Sequence, residues 1–144
     1  SAYVMFANTL SRRRQIEVTA EFEKESVCDN HFVALSLASS LQEATSLKFG
    51  WECEAKKVTA PNQTVSTSCA VAVARYQITV MLEPDGTAIF ADNSGCPTLV
   101  VHGGLENVLG DVVYVFLGAV SNGTASFDDV RVAVSEPFLL PVQA

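Results

Sequence analysis

Three acidic residues, Glu21, Glu23 and Glu25, recur at every second position near the end of an alternating segment. In an extended strand this spacing places all three carboxylates on one face. A carboxylate pair about 5–5.5 Å apart can serve a retaining glycosidase, so this face is the best catalytic candidate. Acidic residues on a polar strand face are more commonly just solvated, and we predict no catalysis. A small glycoside hydrolase is the least favoured alternative.

The four cysteines, Cys28, Cys53, Cys69 and Cys96, indicate how the chain is held together. None forms a C-x-x-C pair, which argues against zinc and thioredoxin-type sites. An even number at wide spacing predicts two disulfides, for which three pairings exist. The alternative is four reduced cysteines buried in a cytosolic core.

One disulfide pairing has a geometric argument. If the chain forms two neighbouring strands that turn near Pro61, Cys53 and Cys69 face each other across a hairpin. Directly opposed residues of antiparallel strands have the short Cβ separation that a disulfide needs. We therefore predict a Cys53–Cys69 bond, which leaves Cys28 to pair with Cys96.

Two N-x-[ST] tripeptides, beginning at Asn62 and Asn122, lie in segments predicted to be loops. Both asparagines are predicted glycosylation acceptors, because a sequon is modified in surface loops of secreted proteins. Together with the even number of cysteines they predict an extracellular or cell-surface location.

Length and composition predict one globular domain over residues 1–144. The chain is 49% hydrophobic and 17% charged, which argues against disorder. Its net charge of −7 argues against nucleic acid and anionic membrane surfaces as partners, because both need a basic patch. No apolar run reaches the about 20 residues of a membrane span, so we predict no membrane insertion. The chain opens in what reads as mid-domain sequence, and we expect a fragment of a larger protein.

Apolar and polar residues alternate with a period of two through most of the chain. Ile16, Val18 and Phe22 alternate with polar residues, as in a half-buried antiparallel strand. A Pro-Asp-Gly run ending at Gly86 predicts a hairpin turn in which glycine supplies a positive φ. The strands predicted in this way span residues 15–23, 31–38, 47–55, 68–76, 76–83, 87–91, 99–101, 112–118 and 126–134. Many short strands separated by turn signals predict an all-β sandwich or jelly roll.

Three segments in the second half carry a family resemblance: Y-Q-I-T-V-M-L-E-P-D-G-T-A-I-F-A-D at 76–92, V-Y-V-F-L-G at 113–118 and F-D-D-V-R-V at 127–132. They resemble concanavalin A-like modules of the laminin G type, and over most of its length the chain is similar to the lectin-like C-terminal domain of trypanosomal sialidases and trans-sialidases. The resemblance implies an all-β, two-sheet antiparallel jelly-roll sandwich. Galactose-binding-like jelly rolls, which also close with a D-D-V strand, are the alternative.

Laminin G-type modules often bind calcium through loop carboxylates and carbonyl groups, so the resemblance implies calcium as a cofactor to test. The alternative for such residues is ordinary turn formation by Asp and Asn side chains. The candidate ligands are Asp85, Asp92, Asn93, Asp128 and Asp129.

Sugar binding needs an exposed aromatic face with hydrogen-bonding groups nearby. The candidates are Trp51, Tyr76 and Tyr114. Trp51 shares the apolar face of its predicted strand with Leu47 and Phe49, so packing in the core is the alternative for its ring. The polar face of the same strand carries Lys48, Glu52, Glu54 and Lys56.

These observations predict a non-catalytic, lectin-like binding or accessory domain of a secreted or cell-surface protein, with a glycan as its partner. The alternative is a structural or protein-adhesion module that braces a neighbouring domain of the same parent chain.

Overall fold

The computed structural model describes residues 2–26, 28–36, 38–61, 63–102, 112–120 and 126–135. Within these ranges the chain forms twelve β-strands and one turn of 3-10 helix at Glu43–Thr45. The strands are β1 (Ala2–Met5), β2 (Leu10–Ser11), β3 (Ile16–Glu23), β4 (His31–Ser36), β5 (Ser46–Glu52), β6 (Ala55–Ala60), β7 (Gln63–Ser68), β8 (Arg75–Leu82), β9 (Ala88–Asp92), β10 (Leu99–Val101), β11 (Val112–Ala119) and β12 (Phe127–Val134).

The strands form two antiparallel sheets. The seven-stranded sheet has the order β1-β11-β4-β5-β6-β7, with the short β2 also paired to β11. The five-stranded sheet has the order β10-β9-β8-β3-β12. The predicted all-β architecture of two antiparallel sheets is confirmed.

One hydrophobic core fills the space between the sheets, and it is built from the apolar positions that alternate along each strand. Ile16 and Val18 of β3 are fully buried, as the period of two predicts. Aromatic side chains join the two layers: the rings of Phe49 and Trp51 lie with their centroids 5.9 and 5.2 Å from that of Phe90. These contacts hold β5 and β9 face to face.

Most of the predicted strands are confirmed to within two residues at either end. The segment 47–55 is an exception, because β5 ends at Glu52 and the chain reverses at Cys53 and Glu54 before β6 begins. The predicted strand 68–76 is also wrong. The strand that follows the turn near Pro61 is β7, which ends at Ser68.

Two disulfides are present, but their predicted pairing is wrong. The structure links Cys28 to Cys53 and Cys69 to Cys96, with Cα–Cα distances of 4.2 and 5.9 Å. The reason is the turn: Cys53 lies in it with a positive φ of 50°, outside the strand pair. The Cys69 N–H donates to the carbonyl oxygen of Glu54 at 2.7 Å, so Cys69 is opposite Glu54 rather than Cys53.

Candidate functional site

The outward face of the seven-stranded sheet is organised in rows of directly opposed residues. Val33 of β4 and Phe49 of β5 are buried in the core, so the residues next to them along each strand point outward. One row consists of Phe32, Gly50, Lys57 and Ser66, and the next of Ala34, Lys48, Thr59 and Thr64.

Gly50 lies where β5 approaches β4 very closely. A Cβ atom added to Gly50 would lie 2.1 Å from the carbonyl oxygen of His31 and 3.0 Å from the Cα of Phe32. Only a residue without a side chain fits here. No side chain therefore covers the backbone at this point of the sheet, beside Lys48 and Lys57.

A groove of about 720 Å³ lies over β5 and β6 on this outward face. A smaller cavity of about 60 Å³ adjoins it and reaches Phe32 and Gly50. We call the two together the β5–β6 groove. The polar residues that line its larger part are Ser46, Lys48, Glu52, Lys57 and Thr59.

The charged side chains of the β5–β6 groove are held differently. Lys57 donates a hydrogen bond to the Glu52 carboxylate, and both side chains are partly exposed. The Nζ of Lys48 lies 5.0 Å from the centroid of the Phe32 ring, a cation–π contact. Hydroxyl, ammonium and carboxylate groups can therefore donate and accept hydrogen bonds within one groove.

The three aromatic residues predicted for sugar binding lie in different places. Trp51 is 3% exposed and packs against Phe22 and Phe90, so its ring belongs to the core and has no face free for a ligand. Tyr76 packs at the edge of the core, with its ring 5.6 Å from that of Phe22. Tyr114 is half-buried on the outward face of the seven-stranded sheet, opposite Ser36 of β4. Tyr114 thus shares a sheet face with the β5–β6 groove.

The five predicted calcium ligands do not come together. Asp85 lies in the β8–β9 turn, where it accepts a hydrogen bond from the Thr87 N–H at 2.9 Å; hydrogen bonds from Thr87 lower the pKa of this carboxyl. Asn93 accepts from the Gln77 N–H at 2.8 Å. Asp129 is paired with Arg131. Over the described ranges, no three His, Cys, Asp or Glu side chains are grouped as a metal site would require.

Asp128 and Asp92, the other two candidates, also have protein partners. The Asp128 carboxylate accepts a hydrogen bond from the Asp129 N–H at 2.8 Å. Asp92 is buried between the sheets and accepts from the Lys56 ammonium at 2.6 Å. These residues do not fit a single calcium site, and calcium binding by this chain stays a prediction.

Lys56 lies inside the sandwich and not on the polar face predicted for it. The turn at Cys53 shifts the alternation, so Lys56 points inward along β6. Its ammonium also donates to the carbonyl oxygen of Pro97 at 2.8 Å and lies 4.5 Å from the centroid of the Phe90 ring.

Of the three acidic residues predicted as the best catalytic candidate, Glu21 and Glu23 lie on the outward face of the five-stranded sheet. The guanidinium of Arg75 lies 3.6 Å from a Glu21 carboxylate oxygen and 3.7 Å from one of Glu23. Glu25 lies beyond the end of β3, and its N–H donates to the side chain of Asp29. The three carboxylates are thus not gathered in a cleft of the described structure.

A buried polar cluster closes one end of the sandwich. Lys24 and His31 are 1% and 2% exposed, and within the described ranges the side-chain nitrogens of neither have a hydrogen-bond partner. Burial lowers the pKa of both groups. Asp29 accepts hydrogen bonds from the Ser26 hydroxyl and from the N–H groups of Ser26 and Glu25, which lower its pKa.

Both predicted glycosylation acceptors, Asn62 and Asn122, lie outside the described residues. The described ranges contain no helix with the length and apolar character of a membrane span.

The sequence patterns did not select the residues of the groove. Lys48 and Glu52 were recognised as a polar strand face, but Ser46, Lys57 and Thr59 carried no signal of their own. Only the register of β5 with β6 brings them together.

Comparison with known proteins identifies the fold. No protein family and no curated protein matches the sequence. Among solved structures, the Lotus tetragonolobus seed lectin matches with a TM-score of 0.64 and 12% identity, over 94% of this chain and 82% of the lectin. A toad ovary galectin in complex with thio-digalactose matches with a TM-score of 0.59 and 14% identity, over 92% of this chain and 99% of the galectin.

An enzyme has the same fold. A family 7 alginate lyase in complex with its substrate matches with a TM-score of 0.60 and 12% identity, over 92% of this chain. The match covers 66% of the lyase, so the chain spans about two thirds of its length. At these identities the likeness is one of fold. The chain has the concanavalin A-like jelly-roll fold that legume lectins, galectins and this lyase share.

Proposed function

We propose that this chain is a non-catalytic, lectin-like domain of a secreted or cell-surface protein, and that it binds a glycan in the β5–β6 groove. The groove itself is the observation that carries the proposal. Its volume of about 720 Å³ lies in the range of about 300–1,000 Å³ typical of ligand sites. Its lining offers hydroxyl, ammonium and carboxylate groups to sugar hydroxyls.

The fold and the covalent structure support this proposal. Proteins named as lectins and galectins share the fold. Two disulfides agree with an oxidising, extracellular compartment. Glu21 and Glu23, two of the acidic residues of the enzyme alternative, face solvent beside Arg75, which supports a role without catalysis.

A glycan array probed with the intact oxidised protein tests the proposal. We expect selective binding to a subset of glycans, and no release of products when the bound glycans are incubated with the protein. The array is run with calcium and again with chelator, since loss of binding in chelator would show that a metal is needed. No binding to any glycan on the array under either condition would contradict the glycan-binding proposal.

Two matched tryptophan variants test whether the groove is the site. Thr59 is exposed on the outward face of β6 and lines the groove, whereas Thr79 lies on the outward face of β8 in the other sheet. Thr59→Trp fills the groove with a large ring and is expected to abolish binding. Thr79→Trp adds the same ring elsewhere and is expected to leave binding unchanged. Equal effects of the two variants would place the site elsewhere.

A second function, contact with a neighbouring protein domain, is favoured by one observation. Tyr3, Val4 and Met5 of β1 are 43%, 67% and 44% exposed, so the edge of the seven-stranded sheet presents three consecutive apolar residues. Exposed apolar patches often mark protein contacts. Val4→Asp is expected to weaken such a contact while leaving glycan binding intact, which pull-down with the parent chain would measure.

A further inference from the structure

Accessible lysine is concentrated in the β5–β6 groove. Of the four lysines of the chain, Lys24 and Lys56 are 1% and 0% exposed. The other two, Lys48 and Lys57, both line the groove, and Glu52 is the one acidic residue among its described lining residues. The described lining residues thus carry a net charge of +1 in a chain whose net charge is −7.

Lys48 is the cation of the groove that is free to bind an anion. It makes neither a hydrogen bond nor an ion pair with any residue in the described part of the chain, and its contact is with the Phe32 ring at 5.0 Å. A cation–π contact leaves the N–H groups of an ammonium available as donors. Lys57, in contrast, is engaged by Glu52.

Exposed arginines on the other sheet are already neutralised by acids. Arg75 lies 3.6, 3.7 and 3.9 Å from carboxylate oxygens of Glu21, Glu23 and Asp128. Arg131 contacts Asp129 at 3.1 Å. An anionic ligand would meet these carboxylates as well as the guanidinium groups. The outward face of the five-stranded sheet therefore disfavours anion binding.

We propose that the β5–β6 groove selects anionic glycans and that Lys48 binds their carboxylate or sulfate group. This inference rests on the proposed glycan-binding function and specifies the class of ligand. The acidic group forms a charge-assisted hydrogen bond with the Lys48 ammonium. This group also competes with Glu52 for Lys57, while the exposed hydroxyl group of Thr59 binds a sugar hydroxyl.

A titration with two matched probes tests the charge requirement. Tetragalacturonate carries one carboxylate on each sugar, and its methyl ester has the same backbone without the charge. We expect the acid to bind the intact oxidised protein at least about tenfold more tightly than the ester by calorimetry, since the ester cannot form the charge-assisted hydrogen bond with Lys48. Raising salt from about 0.1 M to about 1 M shortens the screening length from about 10 to about 3 Å and is expected to remove most of this preference.

Four variants test the assignment to Lys48. Lys48→Gln is expected to weaken tetragalacturonate binding about 10- to 100-fold, and Lys48→Arg to retain it. Glu52→Gln is expected to tighten binding, because it removes a competing carboxylate and frees Lys57. The control is Arg13→Gln, which removes one exposed positive charge outside the groove and is expected to change nothing. Far-UV circular dichroism and thermal melts confirm that each variant is folded.

The outcomes separate this inference from the proposed function. Binding of neutral glycans together with equal affinity for the acid and its ester would overturn the anionic preference and leave the glycan-binding proposal standing. A loss of affinity in Arg13→Gln rather than in Lys48→Gln would overturn the assignment to the groove. No binding of any glycan would overturn both proposals. On an array, uronate and sialate spots distinguish carboxylate recognition from recognition of sulfated sugars.

Discussion

Lys56 and Asp92 form an ion pair with no solvent exposure at either side chain. It joins β6 of one sheet to β9 of the other. Asp92 also accepts hydrogen bonds from the N–H and hydroxyl of Ser94, and Lys56 donates to the Pro97 carbonyl oxygen. Because both charges are compensated, the pair can be buried. Removing one partner would leave the other charge buried without a counter-charge.

We predict that Asp92→Asn lowers the free energy of unfolding by about 3–5 kcal/mol, the cost of leaving a buried charge without its partner. The measurement is urea denaturation at neutral pH. The exposed pair of Glu52 and Lys57 is the control, and Lys57→Gln is expected to cost less than about 1 kcal/mol. Equal losses in the two variants would show that burial of the Lys56–Asp92 pair carries no special weight.

The burial of His31 predicts that folding is sensitive to acid. Its ring packs 4.9 Å from the Phe22 ring and 5.8 Å from the Phe127 ring, and burial lowers its pKa. Asp29 opposes this shift and Lys24 adds to it. In the unfolded chain the pKa is about 6.5. Between the depressed folded value and about 6.5 the unfolded chain therefore binds more protons, and stability falls as the pH decreases through this range.

The predicted result is a free energy of unfolding that is highest above about pH 6.5 and declines below it. His31→Phe, which keeps an aromatic ring among Phe22 and Phe127, is expected to remove this decline. Urea denaturation across the pH range measures both proteins, and an NMR titration reads the His31 pKa directly. A His31 pKa at or above its usual value would contradict the prediction.

At the scale of the elements, the pairing of β4 with β5 depends on Gly50. A Cβ atom at this position would lie 2.1 Å from the His31 carbonyl oxygen, so the two strands would have to separate. Gly95 has a φ of 95° but nothing within 4 Å of an added Cβ. Gly50 is therefore required for steric reasons, whereas Gly95 is required for its backbone conformation.

We expect Gly50→Ala to destabilise the fold by about 2–3 kcal/mol through overpacking. Gly95→Ala should cost about 1 kcal/mol, because its backbone conformation alone is strained. Thermal and urea unfolding give both values. If Gly95→Ala lowers the free energy of unfolding more than Gly50→Ala does, the close approach of β4 and β5 is not the reason for a glycine at position 50.

The elements that sequence patterns predicted are those with a strong local signal. β3 alternates without interruption, and the β8–β9 turn has Gly86 at a φ of 89°, as a Pro-Asp-Gly turn requires. The turn at Cys53 was missed because no Gly, Pro or Asn marks it and a cysteine adopts the positive φ. Because this turn was missed, the Lys56 side chain was predicted to face outward and the disulfide pairing was predicted wrongly.

The groove could not be predicted in the same way. Its polar residues come from β5 and β6, and each of them alone reads as a solvated strand position. The assignment of aromatic residues failed for Trp51 because the same alternation that exposes Lys48 and Glu52 directs its ring inward. Non-local register, which a single sequence does not encode in any short motif, decides which outward residues share a groove.

At the scale of the whole molecule, the two disulfides fasten different parts of the sandwich. Cys28–Cys53 ties the β3–β4 loop to the β5–β6 turn. Cys69–Cys96 links the end of β7 in one sheet to the segment between β9 and β10 in the other. The second bond therefore connects the two layers.

We predict that peptide mapping of the oxidised protein recovers Cys28–Cys53 and Cys69–Cys96. The double change Cys69→Ser and Cys96→Ser should cost about 2–5 kcal/mol in unfolding free energy, because the bond constrains the unfolded chain. Recovery of a peptide that links Cys53 to Cys69 would contradict the described turn and the register of β6 with β7.

We propose above that the outward face of the seven-stranded sheet binds a glycan. The most direct test is an NMR titration of the isotope-labelled protein with the strongest glycan from the array, following backbone amide shifts. We predict that the largest shift changes cluster at Lys48, Glu52, Lys57 and Thr59, and that Thr59→Trp removes them. Shift changes confined to the five-stranded sheet, or none at a saturating concentration of glycan, would contradict the account.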